Sequence, residues 1–308
     1  MQEALDAWFT TAHDRLSIYA GDPPDFVFFD DRCVYRTGST AAGPAFEGPR
    51  YSGRRLAWNA APHGGKVALP GGGEVPAQVV SFAAPYDHDA RAFMVMALPS
   101  VWRAGDVHSA LGLETLMTAV FVHEMTHTRQ FYAFAPRMAA LTARYHLGDD
   151  LTDDSLQDAF KNNPDYVAAY TLERDLLLQA AKEPDAARAR ALVARALEQA
   201  RTRPARFFTG ENAKWEELED AFLTLEGIAQ WAAWSWLTDP KGGGVDKARA
   251  LTEFRRGGRF WSQDEGFLVM LAVDRFVPRW REYAFDAQPE QIMRLWGRAA
   301  WNETEPVQ

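Results

Sequence analysis

Leu5, Trp8, Phe9, Ala12, Leu16 and Tyr19 recur at intervals of three and four, the spacing of one helix face. Gly21 and Pro23-Pro24 close that pattern. The period then changes. Short β-prone runs follow at 26–29, 33–35, 66–69, 78–82 and 91–98, separated by Gly, Pro, Asn and Asp and by Gly71-Gly72-Gly73. Residues 22–100 are therefore expected to form a twisted, mostly antiparallel sheet. Beyond Ser100 the helical period takes over, and the pattern predicts helices over 109–131, 136–147, 154–162, 165–182, 185–207, 213–237, 244–256, 265–276 and 288–301. Pro136, Pro164 and Pro184 fall at or near predicted helix starts, where a missing N–H does no harm. The expected fold class is α+β. An N-terminal helix plus sheet lobe (1–105) is followed by a helical lobe (106–308), as two lobes of one unit.

Composition narrows the function. Apolar residues make up 47% and charged residues 24% of 308, which is globular and not disordered. A net charge of −9 argues against a nucleic-acid partner, because such a footprint needs a basic surface. Arg188, Arg190, Arg195, Arg201, Arg203 and Arg206 sit in an Ala-rich stretch and are expected to form a solvated helix face. The longest nearly uncharged run, 221–238, holds Glu226, Gln230 and Ser235 and reads as a soluble helix, so no membrane span is expected. No leader is legible at the start. The compartment would be periplasmic or secreted if a signal had been removed, and cytoplasmic otherwise. Eight of the eleven tryptophans lie from Trp215 onward and are expected to fill a helical core.

One cysteine, Cys33, rules out an internal disulfide and a cysteine-rich zinc site. It lies in a β-prone run and is expected to be buried and inert. Any metal site must be built from His, Asp and Glu.

Such residues occur together in His123-Glu124-Met125-Thr126-His127, an H-E-x-x-H motif. On a helix, residues four apart share a face, so both imidazoles can reach one ion. Glu124 is turned about 100° from His123. Its carboxylate would stand beside the metal, where it can take a proton from a metal-activated water. The preceding segment, 115–122, is uncharged and mostly apolar, so the helix is expected to be buried.

A catalytic zinc needs a third protein ligand and an open position. One known arrangement places Gly three residues and His or Asp six residues after the second His. Here those positions hold Gln130 and Ala133. Another places Glu about twenty residues downstream, but no Glu occurs between Glu124 and Glu173. Glu226 is the leading candidate. It is the only charged residue in 221–238, and a lone carboxylate on a buried helix is costly unless paired or bound to metal. Glu173 is the runner-up, on a face with Tyr166, Tyr170 and Leu177, and another His or Asp stays open. A buried ion pair with an arginine is the alternative role for Glu226.

The H-E-x-x-H segment, followed about a hundred residues on by Leu225-Glu226-Gly227-Ile228-Ala229-Gln230-Trp231, resembles the gluzincin zinc metallopeptidases, whose second motif reads E-G-L-A-E-Y in some families. The likeness covers roughly residues 90–235. It implies a zincin-like fold with the metal in a cleft between the lobes. It also implies one Zn2+ held by His123, His127 and Glu226, with Glu124 as general base and a peptide or protein as substrate. Gln230 departs from the pattern, standing where an acidic residue is common. In enzymes of this likeness the strand before the motif helix forms the cleft edge on which an extended peptide pairs, and the apolar run at 93–98 suits either such an edge strand or an inner one. A non-catalytic zincin-fold protein that binds a metal or a partner is the alternative from another class. A structural metal site beside a partner-recruiting helical lobe is a third.

Overall fold

The computed structural model describes residues 1–38, 42–86, 89–148, 151–255, 258–285 and 289–301. Residues 256 and 288, at the ends of two predicted helices, lie outside them. The chain is mixed α+β, with an N-terminal sheet region and a mainly helical remainder. It opens with α1 (Gln2–Thr10) and a π-helical turn, Thr11–Arg15. Among the described residues the strands that follow are β1 (Asp25–Phe29), β2 (Cys33–Arg36), β3 (Ala45–Phe46), β4 (Arg50–Tyr51), β5 (Arg54–Arg55), β6 (Trp58–Pro62), β7 (Lys66–Ala68), β8 (Glu74–Pro76), β9 (Ser81–Tyr86) and β10 (Asp89–Ala97). The helices after them are α2 (Pro99–Ala104), α3 (Leu113–Tyr145), α4 (Ser155–Phe160), α5 (Pro164–Lys182), α6 (Ala186–Phe207), α7 (Lys214–Thr238), α8 (Lys247–Phe254), α9 (Trp261–Phe276), α10 (Trp280–Ala284) and α11 (Ile292–Trp301).

Six strands form one sheet in the order β3-β6-β2-β1-β10-β9, and β4-β5 and β7-β8 form separate two-stranded pairs. Neighbours in the large sheet are antiparallel except β1 and β10, which run parallel from Asp25 opposite Phe93 to Phe29 opposite Ala97. Strand β10 therefore lies inside the sheet, hydrogen-bonded on both sides, and cannot offer a free edge to a peptide. The edge position belongs to β9. Interior placement also explains the near-continuous apolar run at 93–97, which is buried throughout.

By internal contacts the chain divides into two units, Met1–Ala135 with Ala232–Phe254, and Pro136–Trp231 with Arg255–Gln308. In the first, Phe26 and Phe28 alternate with Val27 and Phe29 along β1, and the ring centroids of Phe26 and Phe28 lie 6.4 and 6.3 Å from that of Phe121 on α3. Trp58 closes the same aromatic layer, 5.9 Å from Phe26. In the second, α5, α6, α9 and α11 pack on one another around Tyr166, Tyr170, Leu197 and Trp296. Trp231 and Trp280 meet edge to face at 4.9 Å, so these tryptophans serve the core.

Two further expectations need correction. Helix α3 does not break near residue 131 but continues through Pro136. A proline there removes one N–H and leaves the carbonyl of Tyr132 without its helical donor. Tyr132 is exposed, so water can serve that carbonyl. Cys33 is half-buried, not enclosed.

Candidate metal centre

Helix α3 carries the motif. Its apolar residues Phe121, Val122 and Met125 are fully buried, and this draws the polar residues between them out of water. His123, Glu124 and His127 are 7%, 7% and 5% exposed, and Glu226 on α7 is 5% exposed. Polar groups so enclosed must be hydrogen-bonded, paired or bound to an ion.

The two imidazoles stand edge to face with centroids 4.5 Å apart. Their Nε2 atoms approach to 2.9 Å. His123, His127 and Glu226 each present one ligand atom, and these atoms lie within 4.8 Å of one another. Two imidazole nitrogens and a carboxylate oxygen form a donor set suited to a divalent metal ion. The residues thus fit a metal ion by donor chemistry and by convergence.

Gln130 orients one ligand. Its Oε1 accepts from His127 Nδ1 at 3.0 Å, and a carbonyl oxygen can only accept. The proton is thereby held on Nδ1, which leaves the Nε2 lone pair directed at the site. The spacing of Gln130, three residues after His127 on the same helix, could have revealed this role.

The position of Glu226 depends on its neighbour. A Cβ on Gly227 would lie 2.6 Å from the Gly266 carbonyl oxygen, and one on Gly266 would lie 2.7 Å from the Leu223 oxygen. Helices α7 and α9 therefore touch backbone to backbone at a glycine pair. The glycine of the second motif is there for close helix packing beside the ligand residue.

Glu173 is placed elsewhere. Both its oxygens accept from Arg203 Nε at 2.8 Å. Arg203 also donates to the Tyr166 hydroxyl at 2.7 Å and to Glu219, and lies 3.7 Å from Glu265. All these side chains are buried, so Arg203 belongs to no solvated face, contrary to expectation. Its guanidinium pairs with carboxylates from three other helices. Burial raises Glu173 to about 7, with Glu219 adding to the effect against the pull of Arg203. Burial likewise pushes Glu265 well above the usual carboxylate range. Burial alone would lower Arg203, but Glu219, Tyr166, Glu173 and Glu265 outweigh it and raise it.

One acidic neighbour of Glu226 escaped sequence reasoning. Asp154, at the N-terminus of α4, has its carboxyl raised first by burial and then by the negative charges of Asp158 and Glu226. Its sequence setting, Asp153-Asp154-Ser155, reads only as a helix start.

Comparison with protein-family models, with curated proteins and with solved structures finds no match.

Proposed function

We propose that this protein is a zinc-dependent hydrolase of gluzincin type, a metallopeptidase with a zincin-like catalytic unit. The observation that carries the reading is the convergence of His123, His127 and Glu226, with Glu124 one residue from a ligand on the same buried helix turn. A His–His–Glu set is one that catalytic zinc uses, and it leaves a coordination position open. When bound, such an ion supplies Lewis acidity, acidifying water and polarising a carbonyl.

The remaining work falls to the chain. His127, held in one tautomer by Gln130, keeps Nε2 available as a ligand. Glu226 adds the negative charge that offsets the ion. Glu124 accepts the proton of the attacking water and hands it to the leaving amine. Burial of all four side chains limits bulk water, which strengthens each electrostatic contact. Metal binding alone is met by the three ligand side chains and does not call for a carboxylate at Glu124.

The test is Glu124→Gln in zinc-loaded protein, assayed with a peptide library and by metal analysis. Zinc should remain near one per chain while cleavage falls roughly 10²–10⁴-fold, the range attributed to general acid–base catalysis. Undiminished cleavage by the variant, or failure of the wild type to retain zinc, would overturn the reading.

A further inference from the structure

A pocket lies beside α3, toward the start of β1 and the ends of β9 and β10. It has a volume of about 140 Å³ and is lined by Asp22, Pro23, Pro24 and Asp25 before and at the start of β1, by Tyr86 and Arg91 on β9 and β10, and by Arg129 and Tyr132 on α3. Its size is close to the roughly 150 Å³ that takes up one benzene ring. Arg129 follows His127 by two residues and is turned about 200° from it, so it faces away from the imidazoles.

Arg129 is the unusual member. Its guanidinium lies against Gly21, where a Cβ would come within 2.2 Å of Nη1, and Gly21 adopts a left-handed φ of 74° that favours glycine. Its Cζ is 5.2 Å from the centroid of the Tyr132 ring. Its Nε is buried and has no hydrogen-bond partner among the described residues. A guanidinium carries five donors and no acceptor, and leaving a buried donor unmatched costs free energy.

The two aspartates do not fill that role. Asp22 pairs with Arg54 at 3.3 Å. Asp25 accepts from the Tyr86 hydroxyl at 2.5 Å. Neither forms an ion pair with Arg129 among the described residues. Arg91 adds a second guanidinium at the rim, 5.5 Å from the Tyr86 ring centroid.

We infer that this pocket binds a small carboxylate carried on a ring-sized apolar body. The planar guanidinium fork matches a carboxylate's two oxygens. Pro23, Pro24 and the tyrosine rings give the otherwise polar lining one apolar face, against which a flat ring can lie. Asp22 and Asp25 nearby disfavour a phosphate dianion more than a singly charged carboxylate. The carboxylate could belong to a free acid or to the C-terminus of a peptide. The inference stands independently of the hydrolase reading.

Calorimetric titration of the zinc-loaded protein with benzoate, benzamide, N-acetyl-phenylalanine and inorganic phosphate tests it. Benzoate should bind and benzamide should not. Tighter binding of N-acetyl-phenylalanine than of benzoate would identify a chain end as the source, and weaker binding a free acid. Arg129→Gln should weaken benzoate at least tenfold at an unchanged thermal midpoint. Should that variant unfold, Arg129→Lys, which keeps the charge and loses the fork, should still weaken it at least threefold. His127→Ala should leave benzoate binding unchanged. The assignment fails if the Arg129 variants bind benzoate like the wild type, if benzamide binds equally well, or if phosphate is preferred. It also fails if His127→Ala, and not Arg129→Gln, abolishes binding, which would place the anion at the metal centre.

Discussion

Two buried groups of glutamates show opposite ways of placing a carboxylate on an apolar helix. Glu173, Glu219 and Glu265 surround the guanidinium of Arg203. Glu226 instead joins the nitrogens of two histidines. Helix α7 supplies a residue to each group, since Glu219 and Glu226 are seven residues apart, two turns along one face. The same residue type on the same helix face therefore builds a self-compensated ion cluster in one place and a metal-ready donor set in the other. What separates them is the partner: a fixed guanidinium charge in one, two imidazole nitrogens in the other.

The contrast can be broken most sharply at the ligands. Glu226→Ala should reduce zinc from about one per chain to near none on metal analysis, whereas Glu173→Ala should leave it unchanged. Loss of zinc in the second variant alone would exchange the roles assigned to the two groups. Arg203→Met should do the reverse, costing about 3–5 kcal/mol in urea unfolding, because it strands buried carboxylates while His123, His127 and Glu226 are untouched. Gln130→Leu is expected to weaken zinc about 10–100-fold in a chelator competition, by freeing the His127 tautomer. Gly227→Ala should destabilise the fold by about 1–3 kcal/mol through overpacking against α9, read as a lower denaturation midpoint.

The smallest effect concerns pH. Glu173 titrates near 7 when folded, above its ordinary range, so the native state binds more protons than the unfolded state between those values. The Glu173 contribution is present at low pH and is lost as pH rises through about 7. Thermal midpoints should therefore decline from pH 5 to pH 8, and Glu173→Gln should flatten that decline. A slope identical in the two proteins would remove Glu173 as its source.

Much of this organisation was legible in the chain. Period-two and period-three-to-four patterns separate the sheet region from the helices, and the H-E-x-x-H spacing together with the lone charge at Glu226 singles out the three residues that converge. Pairings between distant segments were not legible. The parallel match of β1 with β10 joins strands more than sixty residues apart, and no local pattern encodes it. The burial of Arg203 depends on carboxylates brought by α5, α7 and α9. Within its own helix it is indistinguishable from arginines such as Arg201 that remain in solvent. Pro136 misled because its cost depends on whether one carbonyl can reach water, which is a property of the folded surface.

The glycine contact between α7 and α9 has a consequence for how this sequence can vary. Sliding either helix by one residue would turn it about 100° and bring a side chain into a space that holds only backbone. Positions 227 and 266 are thus constrained jointly. The connecting segments between the two helices can lengthen or shorten over time, while an insertion or deletion within either helix near the crossing would have to be matched in the other or be eliminated by selection.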